Sequence, residues 1–143
     1  MERRLLGRLE LIVDTSFLLP FLGIKVKGID QTLLEGKRLY YPSLMTSELM
    51  AVVIKEARKL KLEKIPEEVV VGLSYIKSTV NFLELDDLNT VYQIVRKGWN
   101  DIFDAILYSS HVFTGTPLIT LDKAFYDFLN RGGFDVSGVI LLG

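Results

Sequence analysis

Five short apolar runs, separated by stretches of helical periodicity, restrict this chain to very few architectures. The first, Leu9-Glu10-Leu11-Ile12-Val13, is β-branched, bounded by Asp14, and has the length and composition of a buried strand. Arg38-Leu39-Tyr40-Tyr41-Pro42 is the second, with Pro42 barring its extension. Residues 80–85 form the third. A fourth run follows the turn at Gly115-Thr116 and ends at Asp122, and residues 136–142 form the fifth. Short strands alternating with helices indicate βαβ units. The expected fold is therefore α/β, a three-layer α/β/α sandwich around a five-stranded, mainly parallel sheet.

The intervening stretches carry their own start and stop signals. Asp14-Thr15-Ser16 offers capping residues for a short helix ending between Pro20 and Gly23, and Gly28-Ile29-Asp30 leads into another that Gly36 ends. Ser43 is placed to cap a long helix over residues 44–62, in which Leu44, Met45, Leu49, Val52, Val53, Ala57 and Leu60 recur at amphipathic spacing. Pro66-Glu67-Glu68 opens a helix to Ser78, with acids in its first turn. Asp86-Asp87 cap a helix that reaches Arg96-Lys97 and ends at Gly98. One more starts at Asn100 or Asp101 and runs to about Phe113, and another covers residues 122–131 before Gly132-Gly133.

A chain of 143 residues is long enough for one core, so a single domain over residues 1–143 is expected. No apolar run approaches the ~20 residues of a membrane span. The opening Met1-Glu2-Arg3-Arg4-Leu5-Leu6-Gly7-Arg8 has too short an apolar stretch for a signal peptide. Zero cysteines exclude disulfides and thiolate metal sites and fit a cytoplasmic protein. A net charge of −1 argues against a histone-like binder but leaves nucleic acid open, since distribution matters more than sum.

In parallel sheets, sites lie outside the carboxyl ends of the strands. Asp14, Asp86 and Asp122 each follow a strand and should crowd that edge, with Glu48, about a turn and a half into the helix after the second strand, and Asp104, in the first turn of its helix, still near it. Carboxylates held together repel unless a cation lies between them. With no Cys and one His, that cation would be hard and oxygen-ligated. Each acid also has a plainer reading. Asp14 and Asp122 are N-cap candidates, Glu48 a solvated helix residue, and Asp104 part of a capping arrangement with Asp101.

Taken together, Ile12-Val13-Asp14-Thr15-Ser16, Ser47-Glu48-Leu49, Asp104-Ala105-Ile106-Leu107 and Leu118-Ile119-Thr120-Leu121-Asp122-Lys123-Ala124-Phe125 resemble the PIN domain family, and within it the small VapC-like toxins. The resemblance covers essentially the whole chain. It implies a Mg²⁺- or Mn²⁺-dependent endoribonuclease with Asp14, Glu48, Asp104 and Asp122 as its four-acid site, and Thr15 and Thr120 as supporting hydroxyls. It also implies a homodimer, an RNA substrate and a small antitoxin whose arm enters the cleft. The segment Tyr108-Ser109-Ser110-His111 departs from the family's small apolar residues, and Asp101 is an extra acid one turn before Asp104. Asp14 and Asp122 are the expected direct ligands. Asp104 would ligate directly or through water, and Glu48 would hold a water or act as base.

Competing readings are a non-catalytic PIN-like module that binds RNA or protein, and an RNA-processing nuclease in place of a toxin. A phosphoaspartate receiver ranks last, because the chain lacks an acidic pair ahead of Asp14 and a clear lysine after the last strand. His111 and Trp99 read as packing residues, as do Tyr40-Tyr41. The basic residues Lys55, Arg58, Lys59, Lys61 and Lys64 read as a solvated face, with Arg96 and Lys97 better placed to guide RNA. Leu33-Leu34 and Met45, Leu49, Met50 and Val53 offer the apolar surface for a dimer.

Overall fold

All five apolar runs become strands of one sheet in the computed structural model, which describes residues 9–143. The basic opening read against a signal peptide lies outside the described residues. The strands are β1 (Glu10–Val13), β2 (Arg38–Pro42), β3 (Asn81–Leu83), β4 (Leu118–Thr120) and β5 (Val139–Leu141). They lie in the order β3-β2-β1-β4-β5, and every pairing is parallel, so the sheet is wholly rather than mainly parallel. Five α-helices join them among the described residues: α1 (Thr46–Lys59), α2 (Glu67–Thr79), α3 (Leu88–Arg96), α4 (Ile102–Thr114) and α5 (Lys123–Arg131).

With the strand order β3-β2-β1-β4-β5, the right-handed rule for parallel crossovers puts α1 and α2 on one face and α3, α4 and α5 on the other, the expected three-layer α/β/α sandwich. The central strands are largely apolar because helices cover both faces. Leu11, Ile12, Val13, Leu118 and Ile119 have no solvent exposure. Gly72 lets α2 close on the turn Leu19–Leu22, since a Cβ there would stand 2.2 Å from the Phe21 carbonyl oxygen.

Several local expectations are corrected. Ser43 does not cap the long helix. Residues Ser43–Met45 form a single 3-10 turn, and the α-helix begins at Thr46. The helix expected up to Glu35 shrinks to a 3-10 turn, Gln31–Leu34, capped by the carboxylate of Asp30. β3 and β5 are shorter than their apolar runs, because each is an edge strand paired on one side only. Leu34, Met45, Leu49 and Val53 are buried within the chain, so they do not supply a dimer surface.

The polar segment in α4 is accommodated by specific partners. Tyr108 donates to the Asp135 carbonyl at 2.6 Å, Ser109 to Asp87 at 2.8 Å and Ser110 to Ile106 at 2.9 Å. His111 Nδ1 lies 2.7 Å from the Thr116 carbonyl, and its ring packs where a Cβ on residue 138 would have to be, so Gly138 is required there. No helix among the described residues is long and apolar enough to cross a membrane.

Candidate active site

The strand order reverses between β1 and β4, since the chain leaves β1 toward β2 while β4 lies on its other side. A crevice opens at the carboxyl ends of the strands at such a reversal. Here it is a cleft of about 280 Å³ lined by Asp14, Thr15, Ser16, Glu48, Asp101, Asp104, Leu107, Leu121 and Asp122. Five carboxylates face this space, and among the described residues no Lys or Arg lines it.

Sheet register sets the first contact. Val13 is paired with Ile119, which brings Asp14 level with Thr120. The Thr120 hydroxyl donates to Asp14 Oδ2 at 2.9 Å and accepts from the Asp122 N–H at 3.1 Å. Asp14 Oδ1 accepts from the Ser16 N–H at 2.9 Å, capping the 3-10 turn that follows β1. Its plainer role as a cap and its place in the cleft therefore coexist. The same holds for Asp122, whose Oδ1 accepts from the Phe125 N–H at 3.0 Å and caps α5.

Glu48 stands in the first turn of α1, where Thr15 Oγ1 donates to its Oε1. Asp101 caps α4 through the Phe103 N–H at 2.9 Å. Asp104, one turn further on, accepts from the Trp99 indole N–H at 3.0 Å. The Trp99 ring packs on Phe125 and Phe128 of α5.

The electrostatics follow from burial among like charges. Burial pushes the Asp14 carboxyl up to about 6 against the Thr120, Ser16 and Leu121 hydrogen bonds, and the charge of Glu48 adds to the rise. Asp104 is pushed up to about 7, first by burial and then by the charges of Asp101, Asp122 and Asp14, with the Trp99 bond opposing. Glu48 is raised by burial, with the Thr15 bond opposing and Asp101 adding to the rise. Neutral donors hold these acids in place but leave their mutual repulsion standing.

Asp14, Glu48, Asp104, Asp122, Thr15 and Asp101 are thus brought together, with Thr120 buried beneath them. Asp86 is not. It lines a separate hollow with Glu84, Asp87 and Ser109, because β3 lies two strands from β1 and its acid never reaches the crevice. The basic residues Lys55, Arg58, Lys59, Lys61 and Lys64 are exposed and line no part of the cleft. Lys97 donates to the Gly132 carbonyl at 2.7 Å and lies over the Phe134 ring. Two residues read as simple packing carry more. Trp99 holds Asp104, and the Tyr41 hydroxyl lies 2.7 Å from Thr15 Oγ1. No spacing rule in the sequence signals either contact.

The donor set fits a hard divalent cation, because every polar side chain at the cleft offers oxygen and the net charge is strongly negative. Among the described residues, no three His, Cys, Asp or Glu side chains close tightly enough on one point to hold a bare ion. Mg²⁺ keeps several of its waters and so needs few direct protein ligands. Asp14, Asp104, Asp122 and Glu48 are the residues that would hold it.

Comparisons with known proteins bear on the family and the fold. Among curated proteins none matches the chain. The crystal structure of PAE2754 from Pyrobaculum aerophilum is similar in fold, with a TM-score of 0.58 and 24% identity over 84% of this chain and 79% of that one. The PIN domain family profile matches residues 11–128, which span β1 to α5 and include all the cleft acids. That fold is generally one of metal-dependent nucleases, and the chain belongs to the PIN domain family.

Proposed function

We propose that this chain is a Mg²⁺- or Mn²⁺-dependent endoribonuclease, a single PIN domain acting in the cytoplasm as the toxin of a toxin–antitoxin pair. The observation that carries the nuclease reading is the cleft itself: carboxylates of Asp14, Glu48, Asp101, Asp104 and Asp122 on one crevice, with no basic side chain among the described residues that line it. A binding scaffold has no use for acids held against their own repulsion. A divalent cation supplies charge neutralisation at a phosphate and lowers the pKa of a water.

The chain's own residues supply the rest. Asp14 and Asp122, fixed at strand ends by Thr120 and by their capping bonds, set one wall. Glu48 enters from α1, held by Thr15, and Asp104 from α4, held by Trp99. Glu48, raised by burial, is placed to take a proton from the attacking water. Leu107 and Leu121 limit solvent access to the floor.

The toxin role rests on the resemblance of the motifs, and with it come an antitoxin whose arm fills the cleft and a homodimer. Leu88, Tyr92 and Val95 on α3 and Ile102 at the start of α4 are exposed apolar residues suited to a dimer contact. Light scattering at tens of micromolar should give twice the chain mass, and a monomer mass would remove the dimer. Purified protein should cleave single-stranded RNA in Mn²⁺ and not in EDTA. Cleavage that persists in Asp104→Asn, or none by the wild type, overturns the nuclease reading. Growth arrest on expression, relieved by Asp14→Asn, supports the toxin; cleavage without arrest points to RNA processing.

A further inference from the structure

Tyr41 has no solvent exposure and lines no part of the cleft, yet its hydroxyl stands at the junction of everything that orients Glu48. Its single proton has two acceptors in reach, Thr15 Oγ1 at 2.7 Å and the Met45 carbonyl at 2.8 Å. Thr15 in turn donates to Glu48 Oε1. Met45 belongs to the 3-10 turn that leads into α1, and Glu48 lies in the first turn of that helix. One hydroxyl therefore lies within hydrogen-bond distance of both supports of Glu48, the Thr15 side chain in the 3-10 turn after β1 and the backbone that launches α1 from β2. The ring is fixed in turn, packed edge-on against Phe82 of β3 at 6.3 Å and 78°.

A phenol in this place is not required by packing alone. A phenylalanine would fill the same volume, while the hydroxyl brings a polar group into a fully buried position that needs partners. Its partners are the two groups that aim Glu48. We infer that Tyr41 is a positioning residue for the nuclease reaction, fixing Glu48 by donating to Thr15, which donates to Glu48, without touching metal or RNA. This rests on the nuclease reading for its function, but the coupling of Tyr41 to Glu48 stands independently of it.

The test is a double-mutant cycle on the full chain, read in two ways. In EDTA, Tyr41→Phe should lower the urea midpoint in the wild-type background and lower it by at most half as much in a Glu48→Ala background. Thr15→Val, which removes the middle of the relay, should show the same dependence on Glu48 and serves if Tyr41→Phe folds poorly. By calorimetry, Tyr41→Phe should weaken Mn²⁺ binding about tenfold with Glu48 present and not at all in Glu48→Ala. Equal midpoint losses in both backgrounds for Tyr41→Phe and Thr15→Val would make Tyr41 a core strut only and overturn the inference. So would unchanged Mn²⁺ affinity in Tyr41→Phe. Coupling in EDTA with no Mn²⁺ binding to the wild type would remove the nuclease reading and leave the positioning role intact.

Discussion

The indole N–H of Trp99 donates to Oδ2 of Asp104 at 3.0 Å, while the ring packs against Phe125 and Phe128. Phe125 is also the residue whose N–H is taken by the Asp122 carboxylate. One side chain thus links the acid on α4 to the helix capped by the acid after β4. Trp99 is the single tryptophan of the chain, so it reports on that link. Its emission should change as Mn²⁺ is titrated in, and the change should be lost in Asp104→Asn. Emission that stays constant while Mn²⁺ stabilises the fold would place the ion away from Asp104.

Divalent metal should stabilise the folded chain. Repulsion among the cleft acids is relieved by a cation that binds only the native site, so stability rises by mass action. At 100 times the dissociation constant the gain is ~2.7 kcal/mol, several degrees in melting temperature. Asp14→Asn keeps an oxygen for the Ser16 cap but removes a charge, and the metal-induced rise should vanish in it. A wild-type melting temperature indifferent to millimolar Mn²⁺ would count against the metal site.

Stability of the metal-free chain should fall as pH rises from 5 to 8. Asp14 titrates at about 6 and Asp104 at about 7, both above the ordinary 3.8. Across that window the folded chain keeps protons that the unfolded chain has released. Their stabilising effect is present at the acidic end and is lost as pH passes through the folded-state values. For Asp14 the difference is worth at most ~3 kcal/mol. Urea midpoints in EDTA should decline over this range and flatten in Asp14→Asn/Asp104→Asn. Because the ion requires carboxylates, Mn²⁺ binding near pH 6 should release protons, seen as a buffer-dependent calorimetric enthalpy.

Asp101 and Asp104 should separate by role although both face the cleft. Asp101 caps α4, a contribution of ~1 kcal/mol, so Asp101→Ala should lower the melting temperature by roughly 2–8 °C and leave much of the cleavage activity. Asp104→Asn should abolish metal-dependent cleavage with the metal-free melting temperature unchanged or raised. Equal loss of cleavage in both variants would bring Asp101 into the metal shell.

The strands, the helix order and the acids at their ends were legible because they depend on neighbours one to four residues away. The apolar runs announced β1 and β2, and Asp101 and Asp122 sit where capping chemistry puts them. The four acids were legible as a set only through motif spacing. The tertiary structure decided which strands became neighbours, and that decided the site. Asp86 follows a strand as Asp14 does, yet β3 went to the sheet edge and took Asp86 with it. Thr15 meets Tyr41 and Glu48 across separations of 26 and 33 residues, and Asp14 meets Thr120 across 106. No periodicity spans such distances. Those contacts exist because a parallel sheet with β1 between β2 and β4 fixes the register of three strand ends at one crevice, and local sequence carries no record of that order.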